Sequence, residues 1–567
     1  MDPTGQGERA PAWPLAVALA WGVALRVVLL LSGRSLWIDE ARLALNIGTR
    51  SFLHLLAPLD YDQTAPVAFL WIERLAVAVF GMHDWTLQLL PFLAGIGVLF
   101  LIYPLARRAG LSQPAAVLAT AIVACAPNLI FYASAVKPYG VDVLVTCLLL
   151  LISLDVLDPY GDPRSRSGLV AAGVLAPWCS APAVFVLGAI GLALFAEARR
   201  ARRDLTPWLV KWVAASAASF GLAYLLVYRN AATNPYMLVF WREAFLNPGP
   251  GWLIRVALRI REAVWGMFLE GSTRPTGQVI EELAYTLIPA VLLVLAGLGV
   301  VRLARARPAP ALLVAGPMAL ALLASLAGVY PTATRLLLFA APLFAILVAA
   351  GLAQVLSWRV EEPAPWIWPL ATLLVVMGPA FYGLRLVLRA PAQEPMAAVA
   401  RRFAVSAAPG DAVYLAPGSI PAWTLYTTRW IRPDTARLAR VATLASSAGP
   451  AFENAPPGSF DPSADTAALS LDHDGRLELL GRSAGIQERP GLPVRPPSPD
   501  DGWVEGEVAR IAGSGRPAMW LVLSYLYGFE RDVLAALEAE HGRCTYRERI
   551  GDIELVRYEL PSPHRSR

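Results

Sequence analysis

A succession of long apolar segments constrains this chain more than any other feature. Many of these segments approach the roughly 20 residues that a helix needs to cross about 30 Å of hydrocarbon. Only 16% of the residues are charged and the mean hydropathy is +0.51, whereas soluble domains carry about 25% charged residues. This excludes a soluble multidomain enzyme and a disordered chain. We predict an α-helical polytopic membrane protein with about 11 spans, at 13–33, 87–106, 113–131, 139–157, 168–180, 182–196, 207–228, 283–302, 310–328, 334–357 and 366–388.

One apolar segment, 66–80, is left out of the spans. It is short and carries Glu73 and Arg74 at its middle, where each charge would cost a few kcal/mol in lipid. We predict an interfacial or partly re-entrant helix there. The pair 168–180 and 182–196 could also be one long helix with a proline kink.

The distribution of arginine predicts the orientation. Short cytoplasmic loops are rich in Lys and Arg, and with 66–80 excluded the arginine-rich loops fall on one side. The N-terminus is then cytoplasmic. Loops 34–86 and 229–281 lie outside, together with the C-terminal residues from 390 onward. The arginine-rich loops contain Arg107–Arg108, Arg164 and Arg166, Glu197–Asp204, and Arg302, Arg305 and Arg307; aromatic residues expected at the lipid interface of 229–281 are Trp241, Phe245, Trp252 and Trp265.

Composition changes after Arg389, where charged residues become more frequent and strand-like runs begin. We predict a transmembrane module over 1–389 and a soluble extracytoplasmic α/β domain over 390–567. A loop-rich insertion covers about 445–502. We expect the second domain to cover the outer site and help select an acceptor, without taking part in catalysis. Its patterned segments are the strands Asp411–Leu415, Met519–Tyr525 and Ile553–Leu560 and the helix Glu530–His541, with Gly542 as C-cap.

The basic residues do not indicate a nucleic-acid partner. The net charge is +5, and only Lys137 and Lys211 are lysines among 48 basic residues. The arginines are not gathered in one patch. The bias towards arginine and alanine is typical of a GC-rich bacterial genome, which places the chain in a bacterial plasma membrane. No phosphate-binding loop or dinucleotide fingerprint is present, which argues against an ATP-driven pump and against a nucleotide-sugar enzyme with a soluble nucleotide-binding domain.

The first outer loop begins with Trp37-Ile38-Asp39-Glu40-Ala41. Paired carboxylates at a membrane surface could act as a general base on a hydroxyl or bind a divalent metal. The alternative is a helix start, with Asp39 or Glu40 as N-cap. The same loop carries Asp60 and Asp62 before Pro66, which could face the first pair or form only a turn. His54 could assist this site or lie on the surface.

Two basic residues precede spans on the same outer side. Lys137, followed closely by Tyr139, and Arg335 could bind a phosphate anion, or serve as interfacial anchors. We predict that their charged groups lie within roughly 10 Å of each other and of Asp39, a distance that one sugar phosphate can bridge. Arg26, inside the first span, needs a carboxylate or a polar cavity as its partner.

These motifs, in this order, resemble the GT-C superfamily of membrane glycosyltransferases over roughly residues 13–350. The similar branch contains protein O-mannosyltransferases and the lipid A aminoarabinose transferases. The motifs that carry the resemblance are Arg26, Trp37–Ala41, Asp60–Gly81, Ala106–Arg108, Lys137 with Tyr139, and Arg335–Leu343.

The resemblance implies transfer of a sugar from a polyprenyl-phosphate donor to a glycan, lipid or protein on the outer membrane face. Asp39 would be the general base, with Glu40 orienting it, the acceptor or a metal. Lys137 and Arg335 would bind the donor phosphate. No cofactor is certain, and a divalent metal is possible. Substrate contacts would come from Asp60, Asp62, Tyr139 and His54.

Three other functions compete with this one. A polysaccharide polymerase or ligase would use paired arginines in a large outer loop, and Arg255, Arg259 and Arg261 lie in 229–281. A transporter of lipid-linked saccharides would need polar residues spread through several helices. A catalytically inactive scaffold would bind partners through its outer domain.

Overall fold

The computed structural model describes residues 12–158, 162, 164–200, 206–246, 251–268, 279–358, 366–390, 394–408, 411–429, 442–445, 468–471, 477–480, 503–514, 517–524, 530–540 and 543–560. The helices are α1 Trp13–Leu31, α2 Ile38–Thr49, α3 Val67–Phe80, α4 Asp84–Arg108, α5 Gln113–Cys125, α6 Pro127–Phe131, α7 Tyr139–Leu157, α8 Arg164–Cys179, α9 Ala183–Arg200, α10 Thr206–Ala223, α11 Arg229–Thr233, α12 Pro235–Phe240, α13 Trp252–Phe268, α14 Val279–Ala306, α15 Pro308–Leu326, α16 Ala341–Ser357, α17 Ile367–Arg389, α18 Met396–Ser406, α19 Ile420–Arg429, α20 Trp503–Ala512 and α21 Glu530–Glu540. The strands are β1 Ala412–Leu415, β2 Ala442–Ala445, β3 Ala468–Leu471, β4 Leu477–Leu480, β5 Ala518–Leu523, β6 Arg543–Ile550 and β7 Ile553–Glu559.

The predicted fold class is confirmed, because long apolar helices are followed by a smaller C-terminal α/β region. The number of spans stays a prediction. Within the described part, eight helical stretches are long and apolar enough to cross a membrane: Trp13–Leu31, Asp84–Arg108, Tyr139–Leu157, Pro207–Thr233, Leu283–Ala306, Pro308–Leu326, Leu338–Ser357 and Ile367–Arg389.

Three predicted spans, at 113–131, 168–180 and 182–196, are helical but are not among these eight stretches. The last two form separate helices, α8 and α9.

Helix α3 has an apolar face that is exposed and an acidic side chain that is buried. It has only 14 residues, and Trp71, Ile72 and Leu75 are exposed while Glu73 is fully buried. Among the described residues, neither carboxyl oxygen of Glu73 has a hydrogen-bond partner, and burial raises the pKa of this carboxyl well above its ordinary value. An apolar outer face with the acidic group turned into the protein fits a helix lying at the membrane interface, as the sequence predicts.

Arg26 finds its partner in the backbone of a broken helix. Helix α5 ends where Ala126 adopts an extended conformation, with ψ of 117°, and Pro127 has no N–H to donate. The Arg26 guanidinium donates to the carbonyl oxygens of Ala124 at 3.2 Å and Val123 at 3.3 Å. The partner is therefore a pair of carbonyls that the helix leaves without a donor, and not the carboxylate or polar cavity expected from the sequence.

Replacing Arg26 with methionine should lower the free energy of unfolding by about 2–4 kcal/mol, because two buried carbonyls lose a charged donor. Denaturant unfolding in detergent micelles measures this. The control is Arg108→Met, which removes a half-exposed ion pair with Asp155 and should change stability by less than about 1 kcal/mol. Equal losses in the two variants would contradict the role assigned to Arg26.

The C-terminal region is built on a five-stranded mixed sheet with strand order β2-β1-β5-β7-β6. Strand β1 pairs in parallel with β2 and β5, while β7 pairs antiparallel with β5 and β6. The predicted strands at 411–415, 519–525 and 553–560 are thus present, as is the helix predicted at 530–541. Strands β3 and β4 form a separate antiparallel pair within the predicted insertion at about 445–502. Most of that insertion, and Gly542, lie outside the described residues.

The C-terminal region packs directly on the loop after α1. One continuous apolar cluster joins both parts of the chain, and it includes residues of α2 together with residues of α18, α19 and the sheet. The members from α2 are Ala41, Leu43, Ala44, Leu45 and Ile47, joined by Leu36 from the segment before the helix. Those from the C-terminal region include Val399, Phe403, Trp423, Tyr426 and Trp520.

Candidate active site

Helix α2 presents the paired carboxylates in its first turn. It begins at Ile38 with Trp37 as N-cap, so neither carboxylate is the N-cap that the simpler sequence interpretation expected. Glu40, the third residue of the helix, accepts a hydrogen bond from the Trp37 backbone N–H at 3.3 Å. This is half of a capping box, in which an acidic side chain folds back on the helix start.

Glu40 is fully buried and its oxygens are already engaged. Its carboxylate forms a two-pronged ion pair with Arg34, at 2.6 and 2.9 Å, and accepts the backbone N–H of Val136 at 2.7 Å. The geometry therefore does not support Glu40 as a group that reacts with substrate. It fits the other predicted role, because Glu40 ties the start of α2 to the segment that carries Lys137.

Asp39 lies between the two basic residues that the sequence predicted to converge on it. Its Oδ1 is 3.1 Å from Lys137 Nζ and its Oδ2 is 3.2 Å from Arg335 Nη1. Lys137 precedes α7 and Arg335 lies between α15 and α16, so three separated parts of the chain meet here. The predicted proximity of the three groups is confirmed, while their chemical roles stay predictions.

The charges of this cluster decide the protonation of Asp39. Burial opposes ionisation of the carboxyl, but the positive charges of Lys137 and Arg335 outweigh it and lower the pKa of Asp39 below its ordinary value. Burial also lowers the pKa of the Lys137 ammonium, against the attraction of Asp39. One carboxylate and two cations leave a net charge of +1, which favours an additional anion.

Aromatic residues and a glutamine surround these charges. The Arg335 guanidinium lies 4.8 Å from the ring centre of Trp241, and the Tyr132 and Tyr139 rings meet edge to face at 5.0 Å. Lys137 Nζ donates to Gln63 Oε1 at 2.6 Å. Trp241 thus lies against the cluster. Trp265, also expected at the lipid interface, is buried; it contacts Tyr285 and Tyr382.

The segment with the predicted substrate contacts Asp60 and Asp62 approaches the cluster through a different residue. Asp60 pairs with Arg50 at 2.8 Å, and Asp62 accepts a hydrogen bond from Asn234. Tyr61 and Asp62 have left-handed φ values of 61° and 53°, an uncommon strain outside glycine. This turn leads directly into Gln63, so Gln63 reaches Lys137 where the sequence pattern had indicated the carboxylates.

Tyr139 and His54 have different surroundings. Tyr139 begins α7 beside Tyr132 and near Arg335, which keeps it at the cluster. His54 is exposed, and its backbone carbonyl accepts a hydrogen bond from Arg50. Among the described contacts, none joins the His54 side chain to Asp39, Lys137 or Arg335, so the structure does not bring it into the cluster.

Sequence reasoning missed several residues at this site. Arg34 and Gln63 escaped notice because each is a single polar residue next to a more conspicuous motif. Asp142, one turn into α7, is buried, and its Oδ1 has no hydrogen-bond partner among the described residues. An acidic residue in the apolar run Tyr139–Leu157 was the available signal for Asp142.

The residues of this site do not fit a divalent cation. The Asp39 carboxylate is held between two cations, and the Glu40 carboxylate is occupied by Arg34. A metal ion prefers several free oxygen ligands. Across the described ranges, no group of three or more His, Cys, Asp or Glu side chains is arranged to hold a metal ion.

Lys137 predicts a distinctive pH dependence. Because its pKa is lowered from 10.5, the ammonium loses its proton, and its attraction for an anion, at a lower pH than an ordinary lysine. Affinity for a phosphate anion should therefore fall as the pH rises towards the ordinary lysine pKa of 10.5. In Lys137→Arg the decline should disappear, because arginine keeps its charge. Identical alkaline declines in both proteins, measured as Kd, would count against Lys137 as an anion ligand.

Residues 64–224 match a family model described as dolichyl-phosphate-mannose-protein mannosyltransferase. No curated protein sequence matches the chain. Among solved structures, ArnT from Cupriavidus metallidurans bound to undecaprenyl phosphate is 14% identical with a TM-score of 0.49, over 97% of this chain and 98% of that one.

Two further structures are similar at the same level. The apo form of the same ArnT is 16% identical with a TM-score of 0.48, over 96% of this chain and 98% of that one. The oligosaccharyltransferase AglB from Archaeoglobus fulgidus, in complex with an inhibitory peptide and a dolichol-phosphate, is 11% identical with a TM-score of 0.46, over 97% and 74%. The family match over 64–224 confirms the resemblance of this chain to the GT-C superfamily of membrane glycosyltransferases.

Proposed function

We propose that this chain is a membrane glycosyltransferase that moves a sugar from a polyprenyl-phosphate donor to an acceptor hydroxyl on the outer face of a bacterial plasma membrane. The observation that carries the proposal is the cluster of Asp39 with Lys137 and Arg335, which has one carboxylate and an excess of positive charge. The matching family is described by a dolichyl-phosphate-linked sugar, and the same kind of donor suits this cluster.

The donor carries one negative charge on its phosphodiester, and Lys137 and Arg335 bind it. As the bond between the anomeric carbon and the phosphate oxygen breaks, that oxygen gains a second negative charge. Two fixed cations stabilise this charge more in the transition state than in the bound donor, which is the condition for catalysis. The polyprenyl phosphate then leaves as an anion without needing a proton.

Asp39 acts on the acceptor in the same step. Its carboxylate takes the proton of the acceptor hydroxyl while that oxygen forms the new bond to the anomeric carbon. When the phosphate binds, Lys137 and Arg335 share their charge between two anions, so the pKa of Asp39 rises and it becomes a better base. Glu40 holds the start of α2 through Arg34, and Gln63 holds Lys137.

The other substrate contacts, the domain division and the membrane orientation predicted from the sequence belong to this proposal. Asp60, Asp62, Tyr139 and His54 are candidate substrate contacts, of which Tyr139 is nearest to the cluster. The division into a module over 1–389 and a domain over 390–567 places the donor site in the first part. The N-terminus is cytoplasmic and the last domain extracytoplasmic, on the basis of the arginine-rich loops.

A polymerase or ligase that uses the arginines of 229–281 fits the contacts less well. Arg259 pairs with Glu262 at 2.9 Å, and Arg261 lies over the ring of Tyr285 at 4.3 Å. These arginines have partners of their own on α13 and α14, whereas Arg335 shares Asp39 with Lys137.

Mass spectrometry of envelope glycans and lipids tests the proposed function in cells with and without the gene. We expect deletion to remove one sugar modification and to accumulate the corresponding polyprenyl-phosphate sugar, and a wild-type copy should restore both. Unchanged glycans would overturn the proposal. A donor lipid trapped on the cytoplasmic leaflet would instead favour a transporter.

A further inference from the structure

The start of helix α2 lacks a cap of the usual kind. The first N–H groups of a helix have no partner within it, and a Ser, Thr, Asp or Asn at the N-cap normally accepts from one of them. Here the N-cap is Trp37, whose side chain has no oxygen. Glu40 accepts the Trp37 N–H, whereas the N–H groups of Ile38 and of Leu36, just before the helix, find acceptors elsewhere. Asp39 follows immediately.

Two of these acceptors come from the C-terminal region, more than 350 residues away. The Ile38 backbone N–H donates to Glu394 Oε2 at 2.9 Å, and the Leu36 backbone N–H donates to the Tyr426 hydroxyl at 2.8 Å. Tyr426 is 1% exposed. Its hydroxyl in turn donates to Asp84 Oδ1, at the start of α4, at 2.9 Å.

Two other features indicate that this contact between the start of α2 and the C-terminal region is specific. The Ala397 backbone N–H donates to Ser35 Oγ at 3.2 Å, so the C-terminal region contacts this segment at three residues: Ser35, Leu36 and Ile38. Glu394 has a left-handed φ of 40°, a conformation that costs about 1 kcal/mol or more for a residue with a Cβ and persists only where the surroundings impose it. The contact is therefore a specific hydrogen-bonded arrangement in addition to an apolar one.

We propose that Tyr426 and Glu394 are positioning residues for Asp39. Through them the C-terminal region, distant in sequence, caps the start of helix α2 and thereby sets the position of the Asp39 carboxylate between Lys137 and Arg335. The inference rests on the proposed function and deepens it. A displacement of about 1 Å at a reacting group can lower the rate by up to about 100-fold. The C-terminal region then does more than cover the site, because the geometry of the site depends on it.

The test compares two tyrosines. Tyr426→Phe keeps the ring in the apolar cluster and removes only the hydroxyl. The matched control is Tyr414→Phe, which removes an equally buried hydroxyl that donates to Glu507 at 2.9 Å within the C-terminal region. Full-length proteins in nanodiscs are compared by hydrogen–deuterium exchange, by the Kd for undecaprenyl phosphate, and by kcat and KM with a panel of undecaprenyl-phosphate monosaccharides.

We expect Tyr426→Phe to speed exchange in peptides covering residues 33–41 and to lower kcat about 10-fold, with donor KM and Kd changed less than about 2-fold. Tyr414→Phe should leave all of these unchanged. Glu394→Ala should behave like Tyr426→Phe, whereas Glu394→Gln should recover most of kcat, because an amide oxygen can still accept the Ile38 N–H.

Wild-type kcat and wild-type exchange in both Tyr426→Phe and Glu394→Ala would overturn the inference. Equal losses in Tyr414→Phe and Tyr426→Phe would also overturn it, since the effect would then be one of general stability. If the wild-type protein transfers no sugar from any donor while the exchange differences persist, the proposed function fails and the capping of α2 stands.

Discussion

Asp39→Asn is expected to lower the rate of sugar transfer by about 1,000-fold, within the range that a positioned general base contributes together with its charge. Binding of the polyprenyl phosphate should persist, and it should tighten by a few fold. The reason is the pairing at the site: without the carboxylate, Lys137 and Arg335 keep their full charge for the phosphate. The measurements are single-turnover transfer from the donor lipid and the Kd for undecaprenyl phosphate.

The control for this variant is Asp155→Asn, which neutralises a carboxylate paired with Arg108 on the predicted cytoplasmic side. It should leave transfer within about 2-fold of wild type, because exposed ion pairs contribute little. Retained transfer in Asp39→Asn would remove Asp39 as the base. Loss of both transfer and donor binding would instead show that the carboxylate holds the site together.

Arg335→Gln is expected to weaken binding of undecaprenyl phosphate by about 10–100-fold, because a charge-assisted hydrogen bond contributes about 1.5–3 kcal/mol. The transfer rate at saturating donor should fall further, since the same cation stabilises the charge that develops on the leaving phosphate. Binding by fluorescence titration and transfer under single-turnover conditions separate the two losses.

Arg261→Gln provides a matched arginine for comparison. Arg261 also lies over an aromatic ring, that of Tyr285, just as Arg335 lies over Trp241. We expect Arg261→Gln to leave donor binding unchanged. The opposite result, in which Arg261 is required and Arg335 is dispensable, would favour the polymerase or ligase that uses the second large loop.

Several parts of the site could be predicted because they depend on local chemistry. A carboxylate pair directly after an apolar span, and a lysine in a chain with almost no other lysine, are conspicuous in the sequence. The expected proximity of Lys137 and Arg335 to Asp39 follows from topology, since all three were placed at the same membrane face. That argument requires only the side of the membrane and not the packing.

The contacts of Glu40 could not be predicted in the same way. Adjacent residues on a helix point about 100° apart, so Asp39 and Glu40 need not face the same space. Which one faces substrate depends on where Arg34 and Val136 lie, and those positions result from packing between α2 and the segment before α7. Gln63 was missed for a related reason, because the left-handed turn at Tyr61 and Asp62 redirects the chain.

The sequence by itself determined the class of this protein. Apolar length sets helices that can cross a membrane, polar composition sets an α/β region after residue 389, and charged residues in otherwise apolar surroundings mark the site. These properties are local, so they can be recognised without knowledge of the packing. Only the tertiary structure decided that Arg26 binds the carbonyls of a broken helix, that Glu40 accepts the Val136 N–H, and that Tyr426 and Glu394 hold the start of α2. Those contacts join residues about 100 to 390 positions apart, so their geometry depends on how separate helices and the C-terminal region pack together.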